Sequence, residues 1–438
     1  MSAHARRLPL RGADLVLVAM QALWRREKIS NNTLMVVECD GPLDPARIRR
    51  ALDGFLEICP WPVARLRRPF PWGKLHWAAG RRAVPGALPL VHQRIDSPTL
   101  LHTMLEAELN AAIDPRREPP LRVSILYSPG GRDAVRTFLV FTWFHPLMDP
   151  RGAQNLLAHL AHIDQADGRA PWDGAPPAFV PEPDPRPLSV RGRMGRRSRA
   201  YMRALAPTPP VSPGSGVTTP GRARFLQASF VHRDPDGGRA KREICWRLAL
   251  VGKAMAELWS RRGLPDEPFL LPISVDLRPK GDPGPTFGNM LAFHFARFRP
   301  SETADLAGLT LTLRRQMVEA LRDGQIDANA VAMEFLTYRP LSVMLNDLPG
   351  TAARETFSFN CADLGDFPGS LEKLFGAHVI DAYHAPSVLP RPGIGVFFNR
   401  CATRSNLVIS WIEGAAAEDE VGRIVEVVRE GMGWTRIP

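Results

Sequence analysis

The chain has 438 residues, of which 45% are apolar and 23% charged, with a formal net charge of +11. That balance supplies a sizeable core, excludes wholesale disorder, a collagen-like rod or a coiled coil, and at roughly 100 to 200 residues per domain points to two or three packed units. Between Asp184 and Asp234 stand ten arginines, from Arg186 to Arg233, with no lysine and no acidic residue, so the rest of the chain is close to neutral and a nucleic-acid partner finds little support.

The apolar run Leu15 to Trp24 opens the chain order. It is interrupted by Gln21, preceded by Asp14, and too short for the roughly 18 residues of a spanning helix. Arg6, Arg7 and Arg11 imitate the start of a signal peptide, but no small-x-small cleavage site follows, and a cytoplasmic protein is expected. Cys39, Cys59, Cys245, Cys361 and Cys401 contain no CxxC pair, which suits a reducing compartment and small core residues.

Thr33 to Glu38 is a short apolar strand signal. Asp44-Pro45 and Ser97-Pro98 each open a helix, with a capping side chain followed by a proline in the first turn. Ile48, Leu52, Phe55 and Leu56 continue the first at helical spacing, and Leu101, Met104, Leu105 and Leu109 the second. Leu121 to Tyr127 and Ala134 to Phe144 flank SPGGRD and predict a hairpin whose second strand is central. HPLMDPRG follows, then a helix with Leu156, Leu157, Leu160 and Ile163 on one stripe.

Residues 171–222 hold 12 of the 43 prolines and read as a linker between an N-terminal domain, 1–170, and a C-terminal domain, 223–438. Within it, Val190 to Leu205 predicts a short basic helix, either a solvated arm or a contact for an anion, a membrane surface or a carrier protein. The second half continues with a helix around Ala249 to Trp259, strands at Phe269 to Arg278 and Met290 to Phe298, and a helix capped by Ser301. Strands at Phe357 to Asn360, Ile394 to Asn399 and Leu407 to Trp411 precede a last helix, Glu418 to Arg429.

A histidine four residues before an aspartate occurs three times, at His92/Asp96, His145/Asp149 and His232/Asp236. Chance alone predicts about 0.6 such pairs in a chain of this composition, so context must choose. His92 lies in a short strand and His232 in the turn sequence VHRDPDGG. Only His145 ends a long apolar strand ahead of a glycine and an amphipathic helix, where sheets collect binding chemistry.

There the residues resemble a family. WFHPLMDPRGAQNLL is similar to the HHxxxDG signature of the CoA-dependent acyltransferase superfamily, which includes chloramphenicol acetyltransferase, condensation domains, wax ester synthases and polyketide-associated acyltransferases. LPISVDLRP followed by FGNM, the opening GADLVLVAM with VVECDGPLDPARIRRALDGFLEICPWPVARL, and SFNCADLG resemble further segments of that family in the same order. The resemblance implies an α/β fold of two chloramphenicol-acetyltransferase-like domains, with mixed sheets, flanking helices and a tunnel at the domain interface. It implies His145 as the general base, a neutral imidazole suiting that role. It further implies Asp149 and Arg278 as a structural pair and Asn289 and Asn360 near the substrate. The co-substrate would be an acyl-CoA or phosphopantetheine thioester, with no permanently bound cofactor and no metal.

Two residues depart from the pattern. Phe144 stands in place of the first histidine, which speaks against peptide-bond condensation, and Pro150 in place of the glycine, which predicts a different path for the loop. His159 and His162 share a helix face without completing a metal site and read as solvated. Trp72, His76 and Trp77 alternate as in a half-buried hairpin. The expectation is an acyltransferase moving an acyl group from CoA or a carrier-protein thioester to a hydroxyl or amine. The alternative is an inactive protein on the same scaffold that binds a carrier protein or anionic surface.

Overall fold

The computed structural model describes residues 6–23, 29–69, 73–80, 84–128, 136–166, 184–205, 211–215, 217, 219–232, 244–278, 286–337, 339–340 and 357–437. Trp72, Asp236 and linker residues 171–183 lie outside them. The first half runs β1 (Arg6–Pro9), α1 (Gly12–Leu23), β2 (Asn32–Asp40), α2 (Pro45–Ile58), β3 (Arg65–Arg67), β4 (His76–Ala79), β5 (Leu90–Arg94), α3 (Pro98–Asn110), β6 (Leu121–Ser128), β7 (Arg136–Phe144) and α4 (Pro150–Gln165). After α5 (Leu188–Leu205) come β8 (Ala223–His232), α6 (Ile244–Arg261), β9 (Phe269–Asp276), β10 (Leu291–Phe298), α7 (Leu306–Arg322) and α8 (Gln325–Leu336). The chain then forms β11 (Asn360–Asp366), β12 (Lys373–Leu374), β13 (Ala377–Pro386), β14 (Ile394–Cys401), β15 (Arg404–Ile412), α9 (Glu418–Met432) and β16 (Trp434–Arg436).

The local signals act as their chemistry dictates. The Asp44 carboxylate accepts the Ala46 N–H at 2.8 Å and the Ser97 hydroxyl accepts the Leu100 N–H at 3.1 Å, each cap contributing about 1 kcal/mol. Ser301 caps no α-helix. Pro300–Ala304 forms a 3-10 turn, Ser301 binds the Asp266 carboxylate, and Asp305 caps α7 through the Gly308 N–H. Residues 357–359 precede the strand rather than forming it, because Ser358 exchanges hydrogen bonds with Leu270 at the start of β9 and β11 begins at Asn360.

Two mixed sheets organise the molecule: β12-β13-β2-β7-β6-β5, and β11-β14-β15-β8-β16. Alternate residues of β2 face different cores. Met35, Val37 and Cys39 pack under α2 and α4, while Leu34 and Val36 join Val140, Phe225, Phe397 and Val408 in a seam between the sheets. Burial on both faces explains why β2 reads as an unbroken apolar run. A further core packs α6, α7 and α9 on the second sheet.

The sheets do not follow the order of the chain. β13 comes from the second half yet pairs with β2, His384 opposite Met35, and β14 then returns to the second sheet. Nor is the basic helix a free arm: α5 docks on α8, with the buried Ser198 hydroxyl donating to Asn329 at 2.7 Å and Tyr201 to the Phe295 carbonyl at 3.0 Å. His76 and Trp77 lie on β4, between β1 and β3, both buried. All five cysteines are buried. Among the described residues no helix is long and apolar enough to cross a membrane.

Candidate active site

β7 delivers the motif to the contact between the halves. Its last residues are buried, and the chain is then turned by backbone bonds: the His145 N–H donates to the Asn31 carbonyl at 2.9 Å and the Met148 N–H to the His145 carbonyl at 3.2 Å. The buried Trp143 indole donates to the Met148 carbonyl at 2.8 Å, so the strand end and the turn are tied together. His145–Leu147 is a single 3-10 turn, and Asp149 is the N-cap of α4.

Asp149 spends its acceptor capacity on structure. One oxygen accepts the Gly152 N–H at 2.7 Å and an Arg278 N–H at 3.0 Å; the other accepts the second Arg278 N–H at 3.0 Å and the Met290 N–H at 2.9 Å. The Arg278 guanidinium also donates to the Gly288 carbonyl at 2.7 Å and to Asp276 at 3.1 Å. Both side chains are buried, at 7% and 6% exposure. Burial opposes the arginine's charge, but Asp149 and Asp276 outweigh it and hold Arg278 above its usual range. Such a bidentate clamp fixes direction as well as distance. It joins the His145 loop of one half to the 286–290 loop of the other.

Pro150 does no damage here. It occupies the first position of α4, where its missing N–H has no intrahelical partner to lose and its fixed φ suits the helix. The close approach falls on Gly152 instead, where an added Cβ would lie 1.9 Å from the Phe287 carbonyl oxygen. Gly152→Ala is therefore expected to destabilise the protein by about 1–3 kcal/mol, read by urea unfolding, by pushing α4 off the 286–290 loop; an unchanged midpoint would refute that packing.

His145 itself is part-exposed, although its Nδ1 is buried with no hydrogen-bond partner among the described residues. Burial lowers its pKa, against the pull of its own carbonyl and of Asp149, so the ring is held neutral near pH 7. Asn289, 4% exposed, donates from Nδ2 to the Asp14 carboxylate at 2.7 Å and reaches the His145 carbonyl at 3.4 Å. In the sequence Asp14 is marked as the residue before an apolar run. Its sequence signal is a carboxylate in the first turn of a helix that is apolar apart from Gln21.

No protein-family model and no curated protein matches this sequence. Solved structures do match. The first condensation domain of the calcium-dependent antibiotic synthetase, in complex with a substrate analogue, aligns with a TM-score of 0.67 at 16% identity over 100% of both chains. The chain has the condensation-domain fold. The TRI3 trichothecene 15-O-acetyltransferase from Fusarium sporotrichioides aligns with a TM-score of 0.69 at 11% identity, covering 97% of this chain and 94% of that one. A variant of the starter condensation domain of the rhizomide synthetase RzmA, solved with C8-CoA, aligns with a TM-score of 0.64 at 13% identity over 98% and 94%.

Within this condensation-domain fold the other predicted residues fall as follows. Phe144, where a first histidine was expected from the family pattern, is buried against Trp77, ring centroids 6.4 Å apart. Asn360 is part-exposed at the head of β11, opposite Gly395, and among the described residues no hydrogen bond links it to the His145 cluster. His159 is not solvated: its Nδ1 lies 2.7 Å from the Asn155 carbonyl and its ring packs edge-on against Phe287, because α4 is covered by the 286–290 loop. Of the two histidines His162 is the exposed one. Among the described residues no group of three or more His, Cys, Asp or Glu is placed to hold a metal ion.

Proposed function

We propose that this chain is an acyltransferase that moves an acyl group from a CoA or carrier-protein thioester to a hydroxyl or amine, with His145 as the general base. The observation that carries the reading is a part-exposed, neutral histidine on a turn clamped across the two halves by Asp149 and Arg278. The imidazole takes the proton from the acceptor as its oxygen or nitrogen attacks the thioester carbonyl; the C–S bond breaks, and the imidazolium returns the proton to the departing thiolate. The donor and acceptor would meet in a tunnel between the halves, with Asn360 on its wall. Asp149 takes no part in proton transfer, since both its oxygens are held by N–H donors.

The C8-CoA complex of the rhizomide domain makes octanoyl-CoA the first donor to try. The test is release of free CoA together with mass-spectrometric detection of one new ester or amide, over a panel of acyl thioesters with a cell extract as acceptor source. No transfer by the wild type, or an unchanged rate in His145→Ala, would defeat the catalytic reading and leave the binding protein.

A carrier-delivered donor is supported by α5. Its docked face is fixed through Ser198 and Tyr201, so Arg193, Arg196, Arg197 and Arg199 are exposed on the outer side of a helix that contains no acidic residue. We expect an acidic carrier domain to bind there, each arginine contributing about 1 kcal/mol or less at a screened surface. Titration calorimetry should show affinity falling as salt rises through the range where the Debye length drops from about 10 Å to about 3 Å. Binding that ignores salt, or survives replacement of all four arginines by glutamine, would remove this surface; binding of anionic vesicles but of no acidic carrier would make it a lipid contact.

A further inference from the structure

A carboxylate buried beside the site has no place in the chemistry above. The first turn of α1 rests on the backbone of α8, so closely that a Cβ at Gly12 would lie 2.1 Å from the Met333 carbonyl carbon. That approach seats Asp14 inside the protein, 8% exposed. One of its oxygens accepts the Arg11 backbone N–H at 2.7 Å, an ordinary helix cap. Capping needs only one oxygen. The other accepts from Asn289 Nδ2 at 2.7 Å, and the same amide nitrogen reaches the His145 carbonyl. Two side chains thus connect the start of α1, the loop of the second half and the turn that carries the base.

The charged groups acting on Asp14 are the Arg11 side chain, just before α1, and Glu334 on α8, which also pairs with Arg11 at 3.9 Å; His145 is reached through Asn289 at its backbone carbonyl. Beyond Asn289 stand Asp149 and Arg278. Burial pushes the Asp14 carboxyl up to about 7, Glu334 adds to this, and the N–H donors of Arg11 and Asn289 oppose it. The group therefore changes charge where the enzyme would work, neutral below neutrality and ionised above. A hydrogen bond to the ionised carboxylate is the stronger one.

We propose that Asp14 is a positioning residue: through Asn289 it holds the His145 turn in register with the 286–290 loop, more tightly when it is ionised. As a role in acyl transfer this rests on the function proposed above; the link itself does not. Its test therefore has two readouts on the full chain. Histidine-selective 13C labelling follows the His145 signal, assigned by its absence in His145→Ala, from about pH 5 to about pH 9, and transfer kinetics are measured on the same samples. In the wild type the His145 signal is expected to show an inflection near neutrality that Asp14→Asn abolishes. Asp14→Asn should also lower kcat by roughly 10-fold with KM within about 2-fold, the pattern of a group that acts on the transition state through another. Asn289→Ala cuts the same connection while sparing the α1 cap, and should lose the inflection too; it carries the test if Asp14→Asn fails to fold. Titration curves that superimpose in the wild type and either folded variant would overturn the proposal. Transfer that survives His145→Ala would instead sink the catalytic reading and leave the titration to decide the link.

Discussion

Arg278→Ala is expected to cost about 3–5 kcal/mol of unfolding free energy, because it leaves Asp149 buried and uncompensated in the contact between the halves. Two N–H donors, from Gly152 and Met290, still serve the carboxylate, which places the cost toward the lower end. The loss has two parts that a second variant separates. Asp149→Asn combined with Arg278→Met removes both charges and keeps roughly the same volume, so part of the lost stability should return; the rest stays lost because the Asn amide oxygen can accept from only one of the Gly152 and Met290 N–H groups. Activity should not return with it, because the directional tie between the loop of α4 and the 286–290 loop is gone. Arg278→Lys retains the charge but not the fork, and should fall between the two. Denaturant unfolding of the four proteins checks the series. A cost for Arg278→Ala below about 1 kcal/mol, the range of a surface pair, would show that the clamp is not buried as described.

His145→Ala should lower the rate of acyl transfer by roughly 10²–10⁴-fold, the usual contribution of a general base, and leave the fold intact. The backbone of the turn, not the ring, makes the bonds to Asn31 and Met148, so melting should change little. The pH dependence has a defined sign. A base must be neutral to accept a proton, and burial lowers the pKa of this imidazole below its ordinary 6.5. The inflection in kcat/KM due to His145 therefore lies on the acid side of 6.5, with transfer sustained below the pH at which a solvent-exposed histidine would fail. An inflection from His145 above 6.5 would mean that the pull of Asp149 outweighs the burial of the ring. The contribution expected from Asp14 lies higher, near neutrality, so the two are separable in one profile.

Much of the first half was legible because its signals are local. Asp44-Pro45 and Ser97-Pro98 specify helix starts within four residues, and a strand such as β7 declares itself by composition alone. The same holds for the position of the candidate base. His145 was singled out by standing between an apolar strand and an amphipathic helix, and it lies at that junction in the structure. Errors arose where a neighbour distant in sequence decides. Ser301 had the right chemistry for a cap, but Asp266 claimed its hydroxyl and Asp305 took the cap. Helical spacing predicts a solvated His159 and cannot reveal that Phe287, more than a hundred residues away, covers it.

By itself the sequence determined most of the elements and singled out the candidate base, since each depends on residues within a turn or a strand of one another. Tertiary structure alone decided that β13 crosses to the first sheet, that the basic helix docks on α8, and that Asp14 reaches the site. The Asp149 to Arg278 bond spans 129 residues and the Asp14 to Asn289 bond 275, and at such separations no periodicity links the partners. What brings them together is burial: a carboxylate removed from water must find donors inside the fold, and which donors it finds depends on how the halves pack.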